Sequence, residues 1–394
     1  MVQVSVVIVS YNVRPFLFLC LQSVTKALKS VTGEIIVVDN ASTDDSCAMV
    51  KKHFPEVKLV ENTDNVGFSK ANNQGVELAQ GTYVLILNPD TVIPENTFVS
   101  LLDFTQHKSD LGAVTAALYD GSGMFLPESK RNVPYPAVAL KKLLGMGSSY
   151  YALQLQEDET GEIEVLVGAF MFLKKEVYQD VGGFDERYFM YGEDIDLSYA
   201  LIQNGYKNYY YHKLRAIHFK GESTVKDQKY FNNFYEAMQL FYAKYFKRFR
   251  YFKPLVDAAL SMKKSVHRWQ TETTKEPAKE LEHILYVGSE NKIYEALIQL
   301  YAKANVHVYP VCETRTISRY DDMARLRSII DDKSIEHLVF DAQNNSYEQI
   351  IYYMTALKRY YSDLSYDIRP AQSRFLIGSN DKNTIGHVSE LDLN

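Results

Sequence analysis

The sequence predicts an α/β protein: a largely parallel, doubly wound sheet within residues 1–225 and a smaller α/β unit over 281–394. Three observations carry this prediction. Continuous β-branched runs such as "VSVVIVS" (4–10) mark strands buried on both faces. Helix-type stretches alternate with these runs in βαβαβ order, for which a parallel sheet is the economical arrangement. The same alternation restarts after the polar stretch "QTETTKEPAKE" (270–280).

Taken in order, 4–10 is the first strand, and Asn12 is placed to cap a helix through "LFLCLQSVTKALKS". "EIIVVDN" (34–40) repeats the buried pattern, and "ASTDDSCAMVKKHF" opens a helix with cap-type residues. "VKLVEN" is a third strand, "FSKANNQGVELAQ" a helix and "TYVLILNPD" (82–90) a fourth strand. Further on, "EDIDLSYALIQNGY" reads as a helix with Ile195, Tyr199 and Ile202 on one stripe and Gly205 as its stop. The unit after the linker shows short strands at "HILYVGSE" (283–290), "NVHVYPV" (305–311) and "IEHLVFDAQ" (335–343).

Composition narrows the function classes. The chain has 394 residues, 46% hydrophobic and 23% charged, with net charge -6, which gives no reason to expect nucleic acid as a partner. Three scattered cysteines (Cys20, Cys47, Cys312) argue against a disulfide framework or a zinc site. "MVQVSVVIVSYN" lacks the basic region and apolar stretch of a signal peptide, and no run approaches the roughly 18–20 apolar residues of a membrane span. A cytoplasmic location is the expectation. Residues 241–270 carry eight Lys or Arg against one acid, interleaved with Tyr and Phe. Two readings fit: docking on the anionic inner face of a membrane, or a helix packed on the first unit with its cations in water.

Doubly wound sheets bind ligands at the carboxyl ends of their strands. Those ends here are Ser10-Tyr11-Asn12, Asp39-Asn40, Glu61-Asn62 and Asn88-Pro89-Asp90. Asp90 is suited to a hard cation such as Mg²⁺ or Mn²⁺, and equally to a turn. Asp39 can accept the imide N–H of uracil or thymine, or cap the next helix. Asn65 and Gly67 form a tight turn into a helix carrying Asn72, Asn73 and Gly75, a pattern suited to ribose and diphosphate. Glu193, Asp194 and Asp196 crowd one first helical turn after "RYFMYG". The helix dipole accounts for one or two acids there but not for the preceding aromatics, which suit the wall of a sugar site. His218 ends a strand and is followed by Gly221 and Ser223.

The ordered set "VSVVIVSYN…VVDNASTD…ENTDNVGFSKANNQG…LILNPDTVI…VGAFMFLKK…GGFDERYFMYGEDIDL…IHFKGEST", spanning about 3–225, resembles the inverting, rhamnosyltransferase-type members of glycosyltransferase family 2. The resemblance implies an A-type glycosyltransferase fold and single-displacement transfer from a nucleotide-diphosphate sugar, dTDP-rhamnose or a UDP-sugar. The acceptor would be a saccharide or lipid-linked saccharide, in surface polysaccharide synthesis. On this likeness Asp39 reads the base and Asn65 belongs to the diphosphate loop. Ser10, Tyr11, Asn12, Gly67, Asn88 and Gly168 line the donor site. Asp90 is the last acid of the metal motif and His218 an additional ligand to Mg²⁺ or Mn²⁺. Asp194 is the general base beside Glu193, leaving Asp196 structural. The motif's first acid is Asn88 here, which removes one charge and implies weak metal affinity.

Two rivals share these features: a catalytically inactive scaffold or sugar-binding module, and a nucleotidyltransferase. The second would carry a Gly-rich, Lys/Arg-bearing loop after the first strand, which "SYNVRPFL" lacks. The C-terminal unit is similar to the nucleotide-binding-like middle domain of polyprenyl sugar-phosphate transferases. Yet only Gly288 stands where a glycine-rich loop would be, with Lys292 and Glu295 at later positions. A regulatory or docking role, rather than a bound dinucleotide, is expected of it.

Overall fold

The computed structural model describes residues 2–136, 138, 150–219, 228–246, 281–310, 319–379 and 386–393. Strands β1 (Val4–Ser10), β2 (Gly33–Asp39), β3 (Lys58–Glu61) and β4 (Tyr83–Leu87) lie parallel in the order β3-β2-β1-β4. Every residue of β1 is buried, as its unbroken β-branched run requires. Helices α1 (Arg14–Ala27), α2 (Ser46–His53) and α3 (Phe68–Leu78) make the crossovers.

Beyond β4 the sheet is mixed, which corrects the expectation of a largely parallel one. After the Asn88-Pro89-Asp90 turn come β5 (Thr91–Val92), α4 (Thr97–Thr105), β6 (Leu111–Tyr119), β7 (Gly161–Ile163), β8 (Phe170–Lys174), α5 (Lys175–Asp180), α6 (Glu193–Gln203) and β9 (Lys207–His218). β8 inserts antiparallel between β4 and β6, and β9 pairs parallel with β6 and antiparallel with β5 and β7. Helix α6 ends as predicted, with Gly205 in the left-handed region and its N–H on the Ile202 carbonyl.

Helix α7 (Gln228–Tyr245) packs on α6 through Ala237, Phe241 and Tyr242 against Ile195 and Tyr199. Of the eight cations in 241–270, Lys244 is held by Asp185 and Asp196. The rest of that segment, 247–270, lies outside the described residues, as do 220–227 with Gly221 and Ser223. Among the described residues no helix is long and apolar enough to cross a membrane.

The second sheet comprises β10 (His283–Val287), β11 (Asn305–Tyr309), β12 (His337–Asp341), β13 (Ser365–Arg369), β14 (Phe375–Ser379) and β15 (His387–Glu390). Its order is β11-β10-β12-β13-β14-β15, parallel as far as β13 and antiparallel after it. Helices α8 (Asn291–Leu300), α9 (Arg319–Lys333) and α10 (Tyr347–Lys358) accompany it.

The carboxyl edge of this second sheet faces the first unit. Glu95 accepts the first two amides of α10, from Tyr347 and Glu348, at 2.8 Å each. A carboxylate on a helix N-terminus satisfies orphan donors and meets the positive end of the dipole. Gln22 exchanges hydrogen bonds with the Ala371 backbone, Lys26 donates to the Ala342 carbonyl, and Arg215 donates to Thr355. One continuous apolar cluster runs from Phe16, Tyr119 and Phe219 into Tyr347, Met354 and Ile377.

Candidate active site

The first sheet's winding reverses between β1 and β4, and its polar strand ends converge there. Register sets Ser10 beside Asp39, and Asp39 beside Glu61. Ser10 is fully buried and its hydroxyl has no hydrogen-bond partner among the described residues. One Asp39 oxygen, Oδ1, accepts the Ser42 N–H at 2.8 Å, while Oδ2 is buried with no hydrogen-bond partner among the described residues. The Cys47 thiol sits against Asp39 and Glu61, and burial together with these acids pushes its pKa up to about 12. Tyr11 stands 50% exposed at the mouth.

Neither Asn12 nor Asp39 caps a helix, while α2 starts within the cap-type run of its sequence. Val13 is the N-cap residue of α1 and Asp45 that of α2. Asn12 instead adopts φ 53° and accepts the Thr43 N–H at 2.7 Å, closing the β1 loop onto the β2 loop. An Asx residue in the left-handed region can bridge two loops and so leaves the helix start to its neighbour.

The next loop turns as its sequence suggests. Asn65 Oδ1 accepts the Gly67 N–H at 3.0 Å, and Gly67 has φ 87°. A Cβ on Gly67 would lie 2.7 Å from the Phe189 carbonyl oxygen, so glycine is required twice over. The helix asparagines depart from expectation. Asn73 is consumed by Tyr178, Phe184 and Glu186, and Asn72 donates to the Phe68 carbonyl. Asn73 thus ties α3 in place, while Asn72 Oδ1 stays buried with no hydrogen-bond partner among the described residues.

Pairing of β5 with β9 sets Thr91 opposite His218 and so brings the metal-type residues together. His218 Nε2 lies 3.3 Å from Asp90 Oδ1 and 3.4 Å from Asn88 Nδ2. Two ligands at right angles on one Mg²⁺ or Mn²⁺ stand about 3 Å apart, so the Asp90–His218 spacing fits a shared cation. Asn88 Oδ1 and His218 Nδ1 are buried with no hydrogen-bond partner among the described residues. No cluster of three or more His, Cys, Asp or Glu suited to a metal occurs among the described residues. The donor set is thus one carboxylate and one imidazole, with room for phosphate and water oxygens.

Helix α6 opens with Tyr191 (φ 71°) and Gly192 (φ 81°), which turn the chain so that Glu193 and Asp194 are both buried. Asp194 Oδ2 meets Arg131 Nη2 at 2.6 Å and the Gly168 N–H at 3.2 Å, and its Oδ1 accepts the Ile195 N–H at 2.8 Å. Arg131, itself buried, also donates to the Leu166 carbonyl and the Tyr150 hydroxyl. Burial opposes its charge, but Asp194 holds it protonated. Glu193 differs: its Oε2 is buried with no partner among the described residues. Burial, with the Asp194 charge beside it, lifts its carboxyl well above the usual glutamate range. Asp196 faces away, bonded to Lys244 and Tyr188.

One dipeptide joins the two halves. Gly168 donates to Asp194, and the adjacent Ala169 carbonyl accepts the Asn88 N–H at 3.0 Å. The acid pair and the metal-type pair are therefore fixed by the same stretch before β8. Sequence reasoning missed Arg131 and Lys244. No spacing in the sequence names their partners, and each meets its partner only through folding across 63 and 48 residues.

Residues 5–182 match the family model described as Glycosyl transferase family 2. The chain is 27% identical over 239 residues to the N-acetylglucosaminyl-diphospho-decaprenol L-rhamnosyltransferase of Mycobacterium tuberculosis, covering 56% of this chain and 78% of that protein. It is 27% identical over 183 residues to the poly-β-1,6-N-acetyl-D-glucosamine synthase of Staphylococcus aureus, spanning 41% of that enzyme's length. Among solved structures, S. aureus TarS 1–349 in complex with UDP-GlcNAc aligns with TM-score 0.45 and 20% identity, over 60% of this chain and 65% of that one. The Pyrobaculum calidifontis mannosyltransferase PcManGT with GDP-Man and Mn²⁺ aligns with TM-score 0.45 and 17% identity, over 91% and 87%.

Proposed function

Residues 5–182 belong to glycosyl transferase family 2 and make the protein a glycosyltransferase; from this premise we propose the following roles for its site. The donor is a nucleotide-diphosphate sugar, dTDP-rhamnose or a UDP-sugar, bound across the carboxyl ends of β1, β2 and β4. The acceptor is a hydroxyl of a saccharide or of a prenyl-diphosphate-linked saccharide in bacterial surface polysaccharide synthesis, as the name of the mycobacterial relative suggests. The observation that carries this reading is the row of buried polar atoms at that edge with no hydrogen-bond partner among the described residues: Ser10 Oγ, Asp39 Oδ2, Asn88 Oδ1, Glu193 Oε2 and His218 Nδ1. Buried polar groups are rarely left unpaired, so atoms gathered in this way point to a missing polar ligand.

Asp39 Oδ2 accepts the imide N–H of the pyrimidine, with Ser10, Tyr11 and Asn12 around the base. The Asn65–Gly67 turn offers backbone N–H groups to the diphosphate, and Asn88 and Gly168 complete the floor. Asp90 and His218 would hold Mg²⁺ or Mn²⁺. Such a cation neutralises charge on the departing diphosphate. Asp194, oriented by Arg131 and the Gly168 amide, takes the proton of the attacking hydroxyl, with Glu193 beside it. Displacement in one step inverts the anomeric centre. A peripheral position at the inner face of the membrane suits a lipid-linked acceptor.

The experiment is a panel of dTDP- and UDP-sugars with Mn²⁺, with and without a prenyl-diphosphate-linked saccharide, reading nucleoside diphosphate release. Acceptor-dependent release from one donor, reduced about 10²–10⁴-fold in Asp194→Asn with nucleotide binding retained, is expected. No release from any donor by the folded protein would favour the inactive scaffold instead.

A further inference from the structure

The segment Asp185–Gly192 leads directly into Glu193 and Asp194 and ends in two successive left-handed residues, Tyr191 and Gly192. A tyrosine in that region is strained and persists only where its surroundings hold it. The holding contacts come from α7, which lies beyond the residues matched by the family model. Lys244 Nζ stands 2.8 Å from Asp196 Oδ2 and 3.0 Å from Asp185 Oδ2. Its ammonium thus bridges the start of the loop to the helix that follows it. The Tyr188 hydroxyl donates to Asp196 Oδ1 at 3.1 Å, closing the loop from within. Ala237 of α7 packs over Gly192, where an added Cβ would meet it at 3.0 Å.

The far side of the same loop rests on the donor side of the site. The Phe189 carbonyl accepts the Phe68 N–H at 2.7 Å, and Phe189 lies against Gly67. An unbroken set of contacts therefore runs from α7 through Lys244 and the 185–192 loop to the Asn65–Gly67 turn.

We propose that Lys244 is a positioning residue: it sets the 185–192 loop that leads into Glu193 and Asp194 and, through Phe189, the nucleotide-side turn at Gly67. The role for Gly67 rests on the donor reading above; the tie itself does not. Asp196 is 2% exposed, so burial raises its pKa while Lys244 and Tyr188 favour its charged form. The other charged neighbours are Asp185, which Arg187 and Lys244 hold ionised, and Arg187 itself, 2.6 Å from Asp185. Without the ammonium, the buried Asp196 carboxylate is left without a cation while Asp185 keeps Arg187, and the tie between the loop and α6 is lost.

The test compares Lys244→Met, Lys244→Arg and the double variant Lys244→Met with Asp196→Asn in the full chain. Hydrogen exchange is read peptide by peptide, and dTDP and UDP binding in Mn²⁺ by calorimetry. In Lys244→Met, exchange should rise at least about tenfold in 185–192 and 66–70, the scale set by losing charged hydrogen bonds. Nucleotide affinity should fall several-fold. Lys244→Arg should behave as wild type, and the double variant should recover part of the protection because the buried anion is gone. Increased exchange confined to 228–246, or a uniform rise along the chain, would overturn the proposal. So would loss of protection in 185–192 with 66–70 and nucleotide affinity unchanged. If the wild-type protein binds neither nucleotide, the donor reading fails, while the exchange pattern still decides the tie.

Discussion

The two sheets of this protein reverse their winding in the same way and finish differently. At the carboxyl edge of the first, Ser10, Asp39, Asn88, Glu193 and His218 each keep a buried polar atom without a hydrogen-bond partner among the described residues. At that of the second, Asp341 is fully buried and saturated. Its Oδ2 takes Arg369 at 2.8 Å and the Tyr286 hydroxyl at 2.7 Å, and its Oδ1 takes the Gln343 N–H at 2.9 Å. Gly288 stands where a phosphate loop would need space, yet a Cβ there would lie 2.3 Å from the Tyr286 ring. This edge is also closed from outside by Lys26, Gln22 and Glu95 of the first unit. A shared topology offers a crevice in both sheets; the edge with unpaired polar atoms is the one the proposed donor site occupies.

Breaking the closed edge should cost stability rather than nucleotide binding. Asp341→Asn leaves the buried Arg369 charge to the longer Glu290 contact at 3.5 Å and should lower unfolding free energy by about 3 kcal/mol in denaturant titration. Nucleotide affinity of the remaining folded protein should be unchanged; a parallel loss would place the nucleotide in the second sheet. At the open edge the effects should invert. Asp39→Asn replaces an acceptor with an amide able to present a donor to the imide, and should weaken dTDP or UDP binding by about 1–3 kcal/mol. Its melting temperature should hardly move.

The smallest effect sharpens the contrast most. The folded state raises the Glu193 pKa, so its contribution to stability is present below the unfolded value near 4.5 and is lost as pH rises through the folded value. Glu193→Gln should therefore melt a few degrees above wild type at pH 8, the gap closing below pH 4 in a thermal series. A variant less stable than wild type at pH 8 would mean that Glu193 is held by a favourable partner and is not an open group.

What could be read from sequence was local. Parallel strands buried on both faces announce themselves as apolar runs, so β1, β2 and β4 and the polar residues ending them were visible, and with them most of the candidate site. β8 and β6 look alike whether paired parallel or antiparallel, because buried runs carry no mark of direction, and the mixed half of the sheet was missed. Asn12 shows how one residue type serves two local structures: the cap it could have made was replaced by a loop bridge to Thr43. Arg131 and Lys244 were invisible because a counterion is chosen by tertiary approach, not by spacing. The asparagines of α3 pointed to a ligand on composition alone, while Asn73 in fact serves Tyr178 and Phe184.

The central claim is that the edge holding Asp39, Asp90 and His218 binds a nucleotide-sugar together with a divalent cation. Calorimetric titration of a dTDP- and UDP-sugar panel, with and without Mn²⁺, on wild type and Asp90→Ala tests it most directly. The account predicts metal-dependent binding of at least one donor, abolished or severely weakened in Asp90→Ala with the fold intact. Equal binding by wild type and Asp90→Ala, indifferent to Mn²⁺, would contradict it.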